Sequence, residues 1–518
     1  MIRSLNRLLL ASAVGLLAIG AAQAADLPTK KTPPAVAKPN CFASFWSWLD
    51  STAADCPLSL YGITFYGQVD VGGGYETNAS RFNKDYPQGV QELVNKTSNG
   101  GRWQLVPNGL SQSNVGIKIK EQIVPNWFIV GDVNFGFDPY SLQFANGPRS
   151  LVDNNHDGLA NQTSNSDSSR STDWDNTRAY LGVSNPTFGT LTAGRQYAFS
   201  NDLVNNYDPF GGSYAFSMIG NSSTFVAGTG DTETARYNTS VKYQVAYNGF
   251  RAGALTQIGG WNEGNGAQSA YQFDLGGDYA GFSVDAIYAY AKDAVKLSTY
   301  NGATPTLDPY DTLKATLANV NAGVIAAKYK WNALTLYGGY EYARLSNPSD
   351  AYGATAAAAA PNGSYFGSLN GGYPAAIQAL AYVNPEDLQV LWAGGKYGIL
   401  SNLDFIAGYY YAWQNNYTNA KTSYNVGNGA GGYGAKTAVG AGCGTNLNPA
   451  ITGATPQGAN AGACAGHEDA VSAMLDWRPV KRVDLYTGVM YSQVTGGMAN
   501  GYIHSNNTAF TGGLRISF

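Results

Sequence analysis

From residue 61 onward the chain repeats one pattern: segments of about ten residues in which apolar and polar side chains alternate. Tyr61, Ile63, Phe65, Gly67, Val69 and Val71 interleave with Gly62, Thr64, Tyr66, Gln68 and Asp70. A strand turns successive side chains to opposite faces, so this spacing makes a ribbon with one mostly apolar and one mostly polar side. The dyad recurs. Val115, Ile117 and Ile119 oppose Asn114, Lys118 and Lys120, and Tyr237, Thr239, Val241, Tyr243 and Val245 oppose Arg236, Asn238, Ser240, Lys242 and Gln244. Leu403, Phe405, Ala407, Tyr409, Tyr411 and Trp413 line one face of a late segment, and Val483, Leu485, Val489 and Tyr491 do so near the end. Sixteen strands are predicted, starting near residues 61, 111, 127, 174, 187, 235, 250, 270, 282, 321, 333, 385, 401, 468, 482 and 505.

The connections alternate in length. Turns such as Val124-Pro125-Asn126, Asn185-Pro186-Thr187, Asn248-Gly249, Ala280-Gly281 and Trp331-Asn332-Ala333 are short, as are those at 398–401 and 478–482. Between them lie long loops near 76–110, 138–173, 198–234, 260–269, 292–320, 344–384, 414–467 and 494–504. Each short turn has an aromatic beside it: Trp127, Phe188, Phe250, Phe282, Trp331, Tyr397 and Trp477. Amphipathic rings prefer a lipid–water boundary, so these mark one membrane interface. A stack of β-sandwiches does not predict this short–long order. The reading is all-β: a sixteen-stranded antiparallel transmembrane β-barrel with short periplasmic turns and long extracellular loops.

Export fits that reading. Arg3 and Arg7, an apolar run to Ala22 and the small-x-small Ala22-Gln23-Ala24 predict a signal peptide over 1–24, with Ala25 as the mature start. No later stretch reaches the ~20 apolar residues of a membrane helix. Gly at 64 and Tyr at 36 of 518 residues, with only 13% charged, is unlike an average soluble domain. Losing Arg3 and Arg7 takes the net charge from −4 to −6, which argues against nucleic acid as a partner. Residues 25–59 are expected to form a periplasmic extension, Pro- and Lys-rich up to residue 40 and then a short helix tied by a disulfide; the barrel takes 60–518. In an oxidising compartment the even cysteine count suggests disulfides, and proximity favours Cys41–Cys56 and Cys443–Cys464.

Sixteen strands enclose more space than side chains can fill. The predicted inward face includes Lys118, Lys120, Arg178, Arg236, Lys242, Lys328, Lys330, Arg482 and Arg515, so a polar lumen filled with water is expected, and with it passage of small hydrophilic solutes and ions. No cofactor is called for. Asp153, Asn155 and Asp157 before Gly158 have the start of a calcium loop, but Ser164 stands where a bidentate Glu belongs. His156, His467 and His504 fall in or near loops with no nucleophile pattern around them, which leaves an outer-membrane hydrolase as the weakest alternative.

Several stretches, in order, resemble the Gram-negative general porins of the trimeric, proteobacterial type. They are Leu60-Tyr61-Gly62 with Gln68-Val69-Asp70; Gly116, Lys118 and Glu121, with Asn114 in place of the family's Arg; residues 176–182; Phe188-Gly189-Thr190; Gly194-Arg195-Gln196; residues 208–212; and Gly513-Leu514-Arg515-Ile516-Ser517-Phe518. The resemblance implies passive diffusion through a homotrimer, with an inward-folded third loop in each subunit. It implies a constriction with acids Asp202 and Asp208, joined by Asp231 and Glu233, facing a basic wall of Lys118, Arg178, Arg195 and Arg236. It further implies contact with outer-membrane lipid and lipopolysaccharide, and recognition of Phe518 by the barrel assembly machinery. A solute-specific channel for a sugar or nutrient anion is the runner-up. Four acids and no Lys or Arg in 198–234 predict a mildly cation-preferring pore.

Overall fold

The computed structural model describes residues 41–79, 92–94, 100–142, 177–220, 236–259, 267–298, 314–347, 377–378, 384–417, 424–425, 437–438, 464–499 and 504–518. Sixteen strands form the wall: β1 (Ile63–Glu76), β2 (Asn114–Val124), β3 (Trp127–Gly136), β4 (Arg178–Asn185), β5 (Gly189–Tyr197), β6 (Arg236–Tyr247), β7 (Phe250–Gln257) and β8 (Ser269–Tyr279), then β9 (Phe282–Ser298), β10 (Lys314–Trp331), β11 (Leu334–Ser346), β12 (Glu386–Leu400), β13 (Leu403–Gln414), β14 (Gly466–Val480), β15 (Val483–Gly496) and β16 (Asn506–Ser517). Each pairs antiparallel with the next. β16 returns to β1, from Gln68↔Ser517 to Glu76↔Ala509, and closes the ring. Hydrocarbon offers backbone N–H and C=O groups no partner, so closure is what makes a sheet stable there.

Tight hairpins explain the short turns. Asn248-Gly249 and Ala280-Gly281 hold both residues at positive φ, the geometry that matches a two-residue turn to strand twist. The seven aromatics beside the turns are all exposed on the outer wall. A second aromatic band, missed by the turn-based reading, lies toward the opposite strand ends. There Tyr271 packs against Phe273, Tyr288 and Tyr290, and Trp413 packs against Tyr340 and Tyr411. Rings at both ends and Ile63, Phe65, Ile117, Ile129, Leu181, Leu275, Leu391 and Val471 exposed between them define the lipid face.

Strand starts follow the alternation closely, with one correction. The tenth strand begins at Lys314, not near 321, and β9 runs on to Ser298 through what the alternation marks as loop. The cause is a bulge between Ala291 and Ala294, where Asp293 adopts φ 51°. One extra residue inverts the dyad beyond it, so the pattern breaks while the pairing continues.

At the short-turn end the barrel carries a small knob. Helix α1 (Phe45–Leu49) is capped by Ser44, whose Oγ accepts from Ser47 N–H, and Cys41–Cys56 is a disulfide. Arg482, in the β14–β15 turn, donates to the carbonyls of Trp48 (2.9 Å), Thr52 (3.1 Å) and Cys56 (2.7 Å) and lies 4.4 Å over the Trp48 ring. The short strand Leu58–Leu60 then pairs with Ile63–Phe65 of β1. It occupies the edge below the point where Phe518 and Gly67 exchange backbone bonds, so the closing seam is covered to the rim. Cys464 is also disulfide-bonded, while Cys443 and everything expected of residues 1–40 lie outside the described residues.

Candidate pore constriction

The segment after β5 does not leave the barrel. Helix α2 (Phe199–Tyr207) and residues 208–219 are largely buried and form one hydrophobic core with Ile287, Val324, Val390, Trp392, Ile406 and Tyr486 of the wall. Inward-facing side chains hold it strand by strand. Gln272 of β8 accepts the Phe199 N–H at 2.7 Å; Tyr207 Oη donates to Asp285 of β9 at 2.7 Å; Lys328 of β10 donates to the Asn206 carbonyl at 3.2 Å; Trp392 of β12 donates to the Tyr207 carbonyl at 3.1 Å. Ser213 and Ala215 reach the Gly109 carbonyl just before β2. Wall glycines make the room. A Cβ on Gly408 would meet Phe210 and Pro209 at 2.9 and 3.0 Å, and one on Gly394 would meet Pro209 at 2.6 Å.

The expected loop acids take different places. Asp202 on α2 is ion-paired with Lys242 of β6 at 2.7 Å; Lys242 also donates to the Tyr197 carbonyl at 3.0 Å and lies over the Phe199 ring. Asp208 is 2% exposed. It engages β13 rather than the arginines, accepting from Tyr410 Oη at 2.5 Å and from the Phe210 and Gly212 N–H groups at 3.1 and 2.8 Å. Burial pushes its carboxyl up to about 6, against the pull of those donors. Asp231 and Glu233 lie outside the described residues, as do Asp153, Asn155 and Asp157 of the candidate calcium loop.

The expected basic residues gather on β2 to β6. Lys118 Nζ sits 4.2 Å over the Tyr66 ring, and Arg178 donates to Tyr66 Oη at 3.0 Å and pairs with Asp132 at 3.3 Å. Arg178 and Arg236 both lie over the Tyr197 ring, at 4.6 and 5.3 Å. Arg195 is hydrogen-bonded to Asn238 beside the bulge at Gly194 and Thr239. Lys120 continues the row over Phe128. Charge alone identifies these cations, but not the rings beneath them. Tyr66 stands at a polar-face position of β1, which is the one signal that could have found it. A cation over an aromatic face keeps its charge while its position is fixed.

A wall apolar outside, polar inside and closed on itself is the wall of an outer-membrane channel. A family model described as Gram-negative porin matches residues 11–513, and the chain belongs to that family. Its fold is similar to that of a loop L8 deletion mutant of OmpT, an outer membrane protein of Vibrio cholerae (TM-score 0.50, 13% identity, 88% of this chain and 99% of that one). It is also similar to an anion-selective porin from Comamonas acidovorans (0.49, 13%, 88% and 99%) and to Salmonella typhi OmpF in complex with daunomycin (0.44, 13%, 88% and 97%). At such identities the likeness shows the fold alone. Among curated proteins none matches.

Proposed function

We propose that this porin is a general diffusion pore whose narrowest point lies between the third loop and the basic wall of β2 to β6. What supports this is the seat of α2 against β8 to β11, with Lys118 on β2 and Arg178 on β4 and the buried Arg195 and Arg236 on β5 and β6. Cations on one side and a loop bearing Asp202 on the other give a transverse field that orients water and polar solutes. Asp208 serves this arrangement as the loop's anchor. Such a field sorts by charge and dipole and needs no binding site for one solute, which favours general diffusion over a solute-specific channel. With Asp202 paired and Asp208 sequestered, the cation preference expected from the loop acids is weak.

Catalysis is no part of this reading. Thr495 Oγ1 lies 2.9 Å from Nδ1 and 3.1 Å from Nε2 of His467, and Asp469 stands 3.8 Å from Nε2, beyond hydrogen-bond distance, so no carboxylate orients the ring as a relay requires. A homotrimer fits the uneven wall. β4 and β7 have only eight residues, whereas β9 and β10 have 17 and 18. At about 3.3 Å per residue and a tilt near 40°, eight residues rise roughly 20 Å, short of the ~25 Å apolar band. A neighbouring subunit covers such a low wall better than lipid does.

Liposome swelling tests the choice. A general pore admits neutral sugars at rates that fall smoothly with size, and none of them blocks ion current at micromolar concentration. Micromolar block by a single sugar or nutrient anion is the result that overturns it.

A further inference from the structure

The knob that seals the seam has a face the barrel does not use. Phe42, in the turn before the helix, and Phe45 and Trp46, in its first turn with ring centroids 6.3 Å apart, are 66%, 67% and 70% exposed. Trp48 lies beneath the Arg482 guanidinium and stacks on Phe45 at 5.9 Å, so it joins the exposed rings to the rim, while Leu49 is buried. The stripe is held rigidly, since the disulfide and Arg482's three carbonyl bonds fix the knob on the rim. Its place on the rim is that of the aromatic girdle, because Trp477 flanks the turn that carries Arg482. The chain leaving the knob keeps to the lipid side: Leu58 and Leu60 pair with Phe65 and Ile63 of the outer face. The chain arriving at it carries Lys30, Lys31 and Lys38 against Asp26.

We propose that the Phe42–Phe45–Trp46 stripe inserts among the phospholipid headgroups of the membrane's periplasmic leaflet, anchoring the knob beside the barrel. Large rings gain most at the boundary of headgroups and acyl chains, and a basic segment leading into it favours anionic lipid. The stripe thereby extends the girdle past the last strand, at the seam where β16 ends. The occupant is lipid because the stripe continues a surface already in contact with lipid.

The full mature protein, reconstituted in phosphatidylethanolamine–phosphatidylglycerol vesicles, gives the test. Emission of the wild type minus that of Trp46→Phe isolates one of ten tryptophans. Phospholipid brominated high on its acyl chains is expected to cut that emission at least about twofold, with little loss to aqueous iodide. Quenching by iodide but not by bromolipid places the ring in the periplasm or the pore and overturns the proposal. Protection from both places it against protein, such as a second copy, and overturns it equally. A heat-modifiable band confirms that the variant barrel is folded. If it is not, Phe45→Ser serves instead: bromolipid quenching of total emission should fall below wild type, and unchanged quenching overturns the proposal.

Discussion

At Asp208 a carboxylate sits where water cannot reach it, among donors from Tyr410, Phe210 and Gly212. Its folded pKa, about 6, lies above the ordinary carboxylate value of 3.8, so the folded state favours the protonated form. The sign follows. This group opposes folding increasingly as pH rises from about 4 to about 6, by at most roughly 3 kcal/mol, and its effect is constant above that. Heat denaturation followed on gels should give a higher midpoint at pH 5 than at pH 7.5, and Asp208→Asn should lose that difference. The exposed cations give a second expectation. Lys118→Gln with Lys120→Gln removes two charges from the row on β2, so reversal potentials across a salt gradient at low ionic strength should move toward cations. An unmoved potential places the row outside the field. Lys118, Lys120 and Arg178 were legible from the dyad on their strands. Tyr66 could be found only from its polar-face position, and Tyr197 not at all, because the bulge at Gly194 and Thr239 breaks the alternation between it and Arg236.

At the scale of elements, turns and strands were legible because their signals are local. A two-residue turn needs Gly or Asn at positive φ, and a half-buried strand needs period two. The docking of the third loop was not legible, since it depends on residues far apart in sequence. Gly394 and Gly408 look like ordinary strand glycines until Pro209 and Phe210 are seen resting on them. Gly408→Leu should therefore unseat the loop while the wall still closes, raising single-channel conductance above wild type. Conductance at the wild-type level in a folded variant contradicts this account of the loop. The knob makes a parallel case. Arg482 reads as one more inward cation in the sequence, yet it holds three carbonyls of a neighbouring segment. Arg482→Ala should cost on the order of 2–3 kcal/mol of knob docking. Limited proteolysis between residues 50 and 60, resolved on reducing gels, should show the variant cut much faster than wild type.

The whole molecule is a partition between two solvents. Apolar side chains face outward between two aromatic bands, charged and hydroxylated ones face inward, and the ring closes where β16 meets β1. Local alternation carries that partition, which is why strand number and closure could be read before any contact was known. Wall height could not, because β9 and β10 pass through a bulge that interrupts the pattern. If, as proposed, a second subunit covers the low stretches at β4, β5 and β7, chemical cross-linking of the detergent-extracted protein should trap a trimer. The central claim, that the enclosed space is an open aqueous path narrowed by the third loop, is tested most directly by recording in planar bilayers. Folded protein should insert in groups of three equal, ohmic conductance steps that grow in proportion to bulk salt. Heat-modifiable, correctly folded protein that inserts without passing current would contradict it.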